Sequence, residues 1–121
     1  DWFTVQKDKT AAFMAYKPTQ SFHIVQREPD GKVNSIDHIG NAGIYINTGY
    51  FILRKEIFDY MQWGDELVVE PFRKLIENRR LTSYNHEGFW ASMDTYKDKQ
   101  TLDDYYSKGK VPWEVWRKNQ L

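Results

Sequence analysis

Thr10-Ala-Ala-Phe-Met-Ala-Tyr16 is a nearly continuous apolar run that stops at Lys17-Pro18, the pattern of a strand buried on both faces. Interior strands of this kind suit an α/β sheet, and the flanking segments supply its other parts. Downstream, residues 21–26 and 32–39 read as two strands of a hairpin. They are joined by Glu28-Pro-Asp-Gly31, whose proline, aspartate and glycine each favour a turn for a separate steric or hydrogen-bonding reason. Residues 44–53 form the next strand. Residues 54–61 then place Ile57, Phe58 and Met61 on one helical stripe, and Gly64-Asp65 breaks it. A second helix over 66–79 carries Val68, Phe72, Leu75 and Ile76 at helical spacing. Pro71 is tolerable only in a first turn, because it has no backbone donor, so this helix starts near Val69 or Glu70. Residues 81–85 and 89–93 read as short strands. Residues 95–108 read as a helix with Leu102, Tyr105 and Tyr106 on one face and Gly109 at its close. Upstream, Asp1-Trp-Phe-Thr-Val-Gln-Lys7 resembles the last turns of a helix already under way. The expectation is one globular α/β unit over residues 1–121, cut from something longer.

Aromatic residues make up 17% of the 121 residues, so large rings are expected in the core, and exposed rings would mark a missing partner. Seventeen basic and seventeen acidic side chains cancel. The chain as a whole therefore lacks the electrostatic pull that draws proteins to nucleic acid or anionic membranes. No apolar run approaches the roughly 20 residues that span a bilayer. Without cysteine there is no disulfide framework, thiol nucleophile or thiolate metal site. These features fit a cytoplasmic location, with no nucleic-acid and no membrane partner.

Two places carry candidate chemistry. The strand Tyr45-Ile-Asn-Thr-Gly-Tyr-Phe-Ile-Leu53 has a polar notch at Asn47, Thr48 and Gly49. Strand alternation puts Asn47 and Gly49 on one face and Thr48 on the other. An open patch beside a carboxamide suits vicinal sugar hydroxyls. A β-bulge, with Asn47 satisfied by backbone, explains the same residues without a ligand. The second place is Asp94 in Met93-Asp94-Thr95, where a strand gives way to a helix. Its carboxylate either caps the helix or reaches a Mg²⁺ ion, which binds through one or two carboxylates plus substrate phosphates.

Both places resemble sugar-1-phosphate nucleotidyltransferases, most closely the glucose-1-phosphate cytidylyltransferases. That family has an Asn-Gly-Gly element before an apolar strand end, matched here by Asn47-Thr48-Gly49, and a Trp-x-x-Met-Asp-Thr motif, matched by Trp90-Ala-Ser-Met93-Asp94-Thr95. Glu70-Pro71 and Lys110-Val-Pro-Trp-Glu114 are similar to the same branch. The resemblance runs from about Thr10 to Trp116 and covers about the latter half of that family's Rossmann-like mixed-sheet fold. It implies Asn47, Gly49 and Thr48 as sugar contacts, with Thr48 a departure bearing on which sugar fits. It also implies Asp94 as a catalytic metal ligand for Mg²⁺, and Trp90 as a support behind it. The implied partners are a sugar 1-phosphate and a nucleoside triphosphate, joined with release of pyrophosphate for polysaccharide biosynthesis.

Two elements of that machinery are missing from this sequence. No Gly-rich phosphate cradle occurs among seven scattered glycines, so the triphosphate is expected to be held mainly by a missing N-terminal half and the chain alone to be inactive. Where the family has a Glu-Lys-Pro lysine for the sugar phosphate, this chain reads Ile36-Asp37-His38-Ile39-Gly40. His38 either donates to phosphate when protonated or is a packed strand histidine, as His23 and His86 are read to be. A second class of function stays open: a non-catalytic binding or homo-oligomerisation module using exposed rings and the Pro112-Trp-Glu-Val-Trp116 hook.

Overall fold

The structure, a computed structural model, describes residues 2–119. Five strands and two α-helices follow in the order β1 (Ala11–Tyr16), β2 (His23–Arg27), β3 (Val33–His38), β4 (Ile46–Leu53), α1 (Glu70–Glu77), β5 (Leu81–His86) and α2 (Tyr96–Ser107). The chain divides into two compact units, residues 1–86 and 87–121.

In the first unit the apolar run becomes the central strand of a mixed sheet of order β4-β1-β5. β1 pairs antiparallel with β4 and parallel with β5, from Ala11 against Leu81 to Tyr16 against His86. Ala11, Ala12 and Ala15 are buried, as a strand with neighbours on both edges requires. α1 begins with Pro71 in its first turn, where the missing N–H costs nothing. It places Phe72 and Leu75 in a core with Ala11 and Ile57. The Phe72 ring meets Phe13 of β1 at 6.3 Å and Phe51 of β4 at 5.7 Å, so one side chain ties the helix to two strands. Leu75 is fully buried, and truncating such a leucine to alanine typically costs about 2–5 kcal/mol. β2 and β3 form a separate antiparallel hairpin. At its turn the Asp30 carboxylate accepts the Lys32 N–H at 2.9 Å and Gly31 takes φ +96°, a conformation that favours glycine.

In the second unit the Phe89 ring packs on Tyr105 at 5.9 Å and on Trp113 at 6.0 Å. This cluster holds the segment before α2 and the segment after it against the helix. A short 3-10 helix follows at Val115–Asn119.

Several expectations are corrected. Residues 2–5 form turns, closed by Gln6 N–H to the Phe3 carbonyl, where a helix end was expected; Asp1 lies outside the described residues. Lys55–Tyr60 is a 3-10 helix, whose tighter winding turns Phe58 out to 72% exposure while Ile57 stays buried. Residues 89–93 are irregular, because Phe89 is spent on the ring cluster and no strand pairs with them. Val68 precedes α1, and Ile76 and Tyr106 are exposed. Among the described rings only Phe3 and Phe72 are buried, so alanines and branched aliphatics fill more of the core than the composition predicts. Among the described residues no helix is long and apolar enough to cross a membrane.

Candidate functional site

The notch in β4 is a bulge. Phe13 of β1 faces Phe51 and Ala15 faces Asn47, so Thr48, Gly49 and Tyr50 together oppose Met14 alone. The strict alternation assumed from the sequence fails here, and a different division of roles replaces it. Thr48 is half-buried and its hydroxyl donates to the Met14 carbonyl at 2.9 Å, fastening the bulge to the central strand. Gly49 takes φ +84°, and a β-carbon there would meet no atom within 4 Å. Its glycine therefore serves the backbone conformation, since nothing crowds the position. The exposed Asn47 accepts the Gly49 N–H on Oδ1 at 2.9 Å, closing an Asx turn. The two donors on Nδ2 have no partner among the described residues and face solvent. The three residues thus form one exposed surface step carrying a free carboxamide NH₂, on a strand held by hydrogen bonds to β1.

His38 ends β3 on the separate hairpin. Its Nδ1 accepts the Gly40 N–H at 3.0 Å and so caps the 3-10 turn Ile39–Asn41. In this arrangement Nδ1 serves as an acceptor and is taken up by the cap. The ring meets His23, its directly opposed cross-strand neighbour, edge to face at 5.6 Å.

Asp94 and the half-buried Trp90 lie in the second unit. The expected competition between capping and ligand binding resolves locally in one respect, because the cap of α2 is Thr95. The Thr95 hydroxyl accepts the Asp98 N–H at 3.1 Å, and the Asp98 carboxylate accepts the Thr95 N–H at 3.0 Å and the Asp94 N–H at 3.2 Å. This is a reciprocal capping box. The signature Thr95-Tyr-Lys-Asp98 was available in the sequence, one residue beyond the aspartate that drew attention. Bonding to the Thr95 side chain, then to the Thr95 backbone, holds the Asp98 carboxyl below the ordinary carboxylate range. Asp94 is therefore fixed through its backbone, while its exposed carboxylate makes no hydrogen bond among the described residues.

Whether these residues suit a divalent cation can be judged from the donors. Among the described residues no three His, Asp or Glu side chains gather into a metal-holding group. Mg²⁺ needs no such cage: it keeps water and takes one or two carboxylates beside substrate phosphates. A single uncommitted carboxylate on an anchored backbone fits that mode.

The α/β content and the mixed parallel and antiparallel sheet are compatible with part of a nucleotidyltransferase fold, and the relatives of this chain carry that class of name. The chain is 30% identical over 89 residues to a probable glucose-1-phosphate cytidylyltransferase of Bacillus subtilis (strain 168), a match covering 72% of this chain and 35% of the relative. It is 35% identical over 79 residues to the glucose-1-phosphate cytidylyltransferases of Salmonella typhimurium and Salmonella typhi, covering 61% of this chain and 29% of each relative. No family model matches. The resemblance read from the motifs is thus a homology, and the chain spans about a third of the length of the curated relatives it matches.

Proposed function

We propose that this chain is the sugar-side portion of a nucleotidyltransferase that joins a sugar 1-phosphate, glucose 1-phosphate or a close analogue, to a nucleoside triphosphate such as CTP. A phosphate oxygen of the sugar phosphate forms the new bond to the α-phosphorus, the bond from that phosphorus to the bridging oxygen breaks, and pyrophosphate leaves. The observation that carries this reading is the homology to proteins named for that reaction. The geometry adds an exposed carboxamide NH₂ at Asn47 and an uncommitted carboxylate at Asp94.

In this reading Asn47 donates from Nδ2 to a sugar hydroxyl, and Oδ1 keeps the bulge in shape. Gly49 supplies the backbone turn and the open space beside it. Thr48 positions both through Met14. Asp94 is the residue that would hold Mg²⁺, which when bound neutralises phosphate charge. The capping box keeps the Asp94 backbone in place for that role. The triphosphate is held mainly by an N-terminal half that this sequence lacks, and the setting is cytoplasmic nucleotide-sugar synthesis.

Calorimetric titration of the 121-residue protein with glucose 1-phosphate tests the reading. Weak saturable binding that Asn47→Ala abolishes is expected, with no nucleotide-sugar formation when CTP and Mg²⁺ are added. Binding that survives Asn47→Ala unchanged would remove Asn47 from the site. A second reading, a non-catalytic assembly module, is favoured by Val115 and Trp116, which stand 63% and 60% exposed beside the Pro112 hook. It predicts no sugar-phosphate binding and a concentration-dependent oligomer in sedimentation that Trp116→Ala disperses.

A further inference from the structure

At the far end of β4 from the notch, within the first unit, lies an open groove of about 650 Å³. Lys7, Arg54, Lys55 and Arg80 line it together with Glu56 and Phe3, four cations against one carboxylate. Both arginines are partly buried and held from behind. Arg54 donates from Nε to the Lys9 carbonyl at 2.9 Å and from Nη2 to the Phe3 and Gln6 carbonyls at 3.1 and 3.3 Å, with its guanidinium 4.6 Å from the centre of the Phe3 ring. Arg80 donates from Nε to the buried Thr10 hydroxyl at 2.7 Å. None of the four cations forms an ion pair among the described residues.

Gathering like charges in a concave, partly desolvated place costs free energy, and the usual compensation is an anion. Backbone carbonyls at Arg54 and a hydroxyl at Arg80 fix the guanidiniums without an ion pair, which lowers the ordering cost of binding an anion. Lys7 and Lys55 are exposed at the mouth and free to close on it.

We propose that this groove binds the diphosphate group of a small polyphosphate. Each phosphate carries roughly 1.5 to 2 negative charges near neutral pH, so a diphosphate matches the excess of three positive charges, whereas a single phosphate leaves part of it uncompensated. The groove begins at Ile52, which faces Ala12 of β1, whereas Asn47 faces Ala15, a separation of three β1 residues or roughly 10 Å at ordinary strand rise. It is therefore a separate site from the notch and does not rest on the reaction proposed above.

Isothermal titration of the 121-residue protein at low ionic strength without divalent cations tests the proposal, with pyrophosphate, inorganic phosphate and CTP as probes. Pyrophosphate is expected to bind saturably at one site, inorganic phosphate about tenfold more weakly. The double variant Lys7→Ala, Lys55→Ala removes exposed charge and leaves every Arg54 and Arg80 hydrogen bond in place. It should weaken pyrophosphate binding about tenfold or more without moving the thermal midpoint of the free protein, and Asn47→Ala should bind pyrophosphate as the parent does. Equal affinity for CTP and pyrophosphate would assign the groove to a free diphosphate, and tighter CTP binding would assign it to a nucleotide's phosphate tail. Absence of saturable binding, an undiminished affinity in the double lysine variant, or loss of binding in Asn47→Ala would each overturn the proposal.

Discussion

Replacing Gly49 by alanine separates the two reasons a glycine can stand in a strand. A β-carbon at this position meets nothing within 4 Å, so crowding contributes nothing and any cost comes from the backbone at φ +84°. For an L-residue that conformation costs about 1–2 kcal/mol. Within a first unit of 86 residues this corresponds to a fall in thermal midpoint of roughly 5–15 °C. Asparagine tolerates the left-handed region better than alanine, so Gly49→Asn should lose less stability although its side chain is larger. Urea denaturation followed by tryptophan fluorescence measures both variants. The bulge also sets where Asn47 points, so glucose 1-phosphate binding should fall in Gly49→Ala and recover partly in Gly49→Asn. A neutral Gly49→Ala, or an asparagine variant at least as destabilised as the alanine one, would refute the assignment of this glycine to backbone conformation.

Asp94→Ala should leave stability within about 0.5 kcal/mol of the parent, because Thr95 and Asp98 do the capping. In a catalytically complete protein it should lower turnover by at least about 10²-fold in a nucleotide-sugar formation assay. Asp98 is bonded in the folded state with its pKa depressed, so its contribution is present above the ordinary carboxylate range and is lost as pH falls through the lowered value. Far-ultraviolet circular dichroism should show α2 losing helicity below about pH 4, a response that Asp98→Asn removes, while Thr95→Ala costs about 1 kcal/mol at neutral pH. Arg54→Ala takes the donor from the Lys9 carbonyl and the second donor from the Phe3 and Gln6 carbonyls, and strips the cation from the Phe3 ring. It should cost about 2–4 kcal/mol in urea denaturation.

Much of the framework was legible because it rests on local rules. The run at Thr10 announced a central strand, Pro-Asp-Gly announced the hairpin turn, and Pro71 located the start of α1 to within a residue. The misread parts depend on contacts between distant positions. Phe89 looks like a strand residue in its own window, and only Tyr105 and Trp113 reveal it as a ring anchor. The notch was visible as composition, yet its shape follows from two extra residues in β4 relative to β1, which alternation within one strand cannot register. His38 likewise carries no sign of its cap, because the Gly40 N–H becomes an orphan only when the chain turns. The groove at Arg54 unites positions 7, 54, 55 and 80 through chain reversals that no spacing motif encodes.

The carboxamide of Asn47 divides its labour between its two ends: one heteroatom is consumed by the fold and the other is left for chemistry. A swap of NH₂ for oxygen, Asn47→Asp, therefore edits recognition while sparing architecture, since the acceptor toward Gly49 is retained and the outward face changes from donating to accepting, with a negative charge added. Few surface positions allow a binding preference to be inverted by a change of essentially one atom, and here the strand geometry has already isolated it.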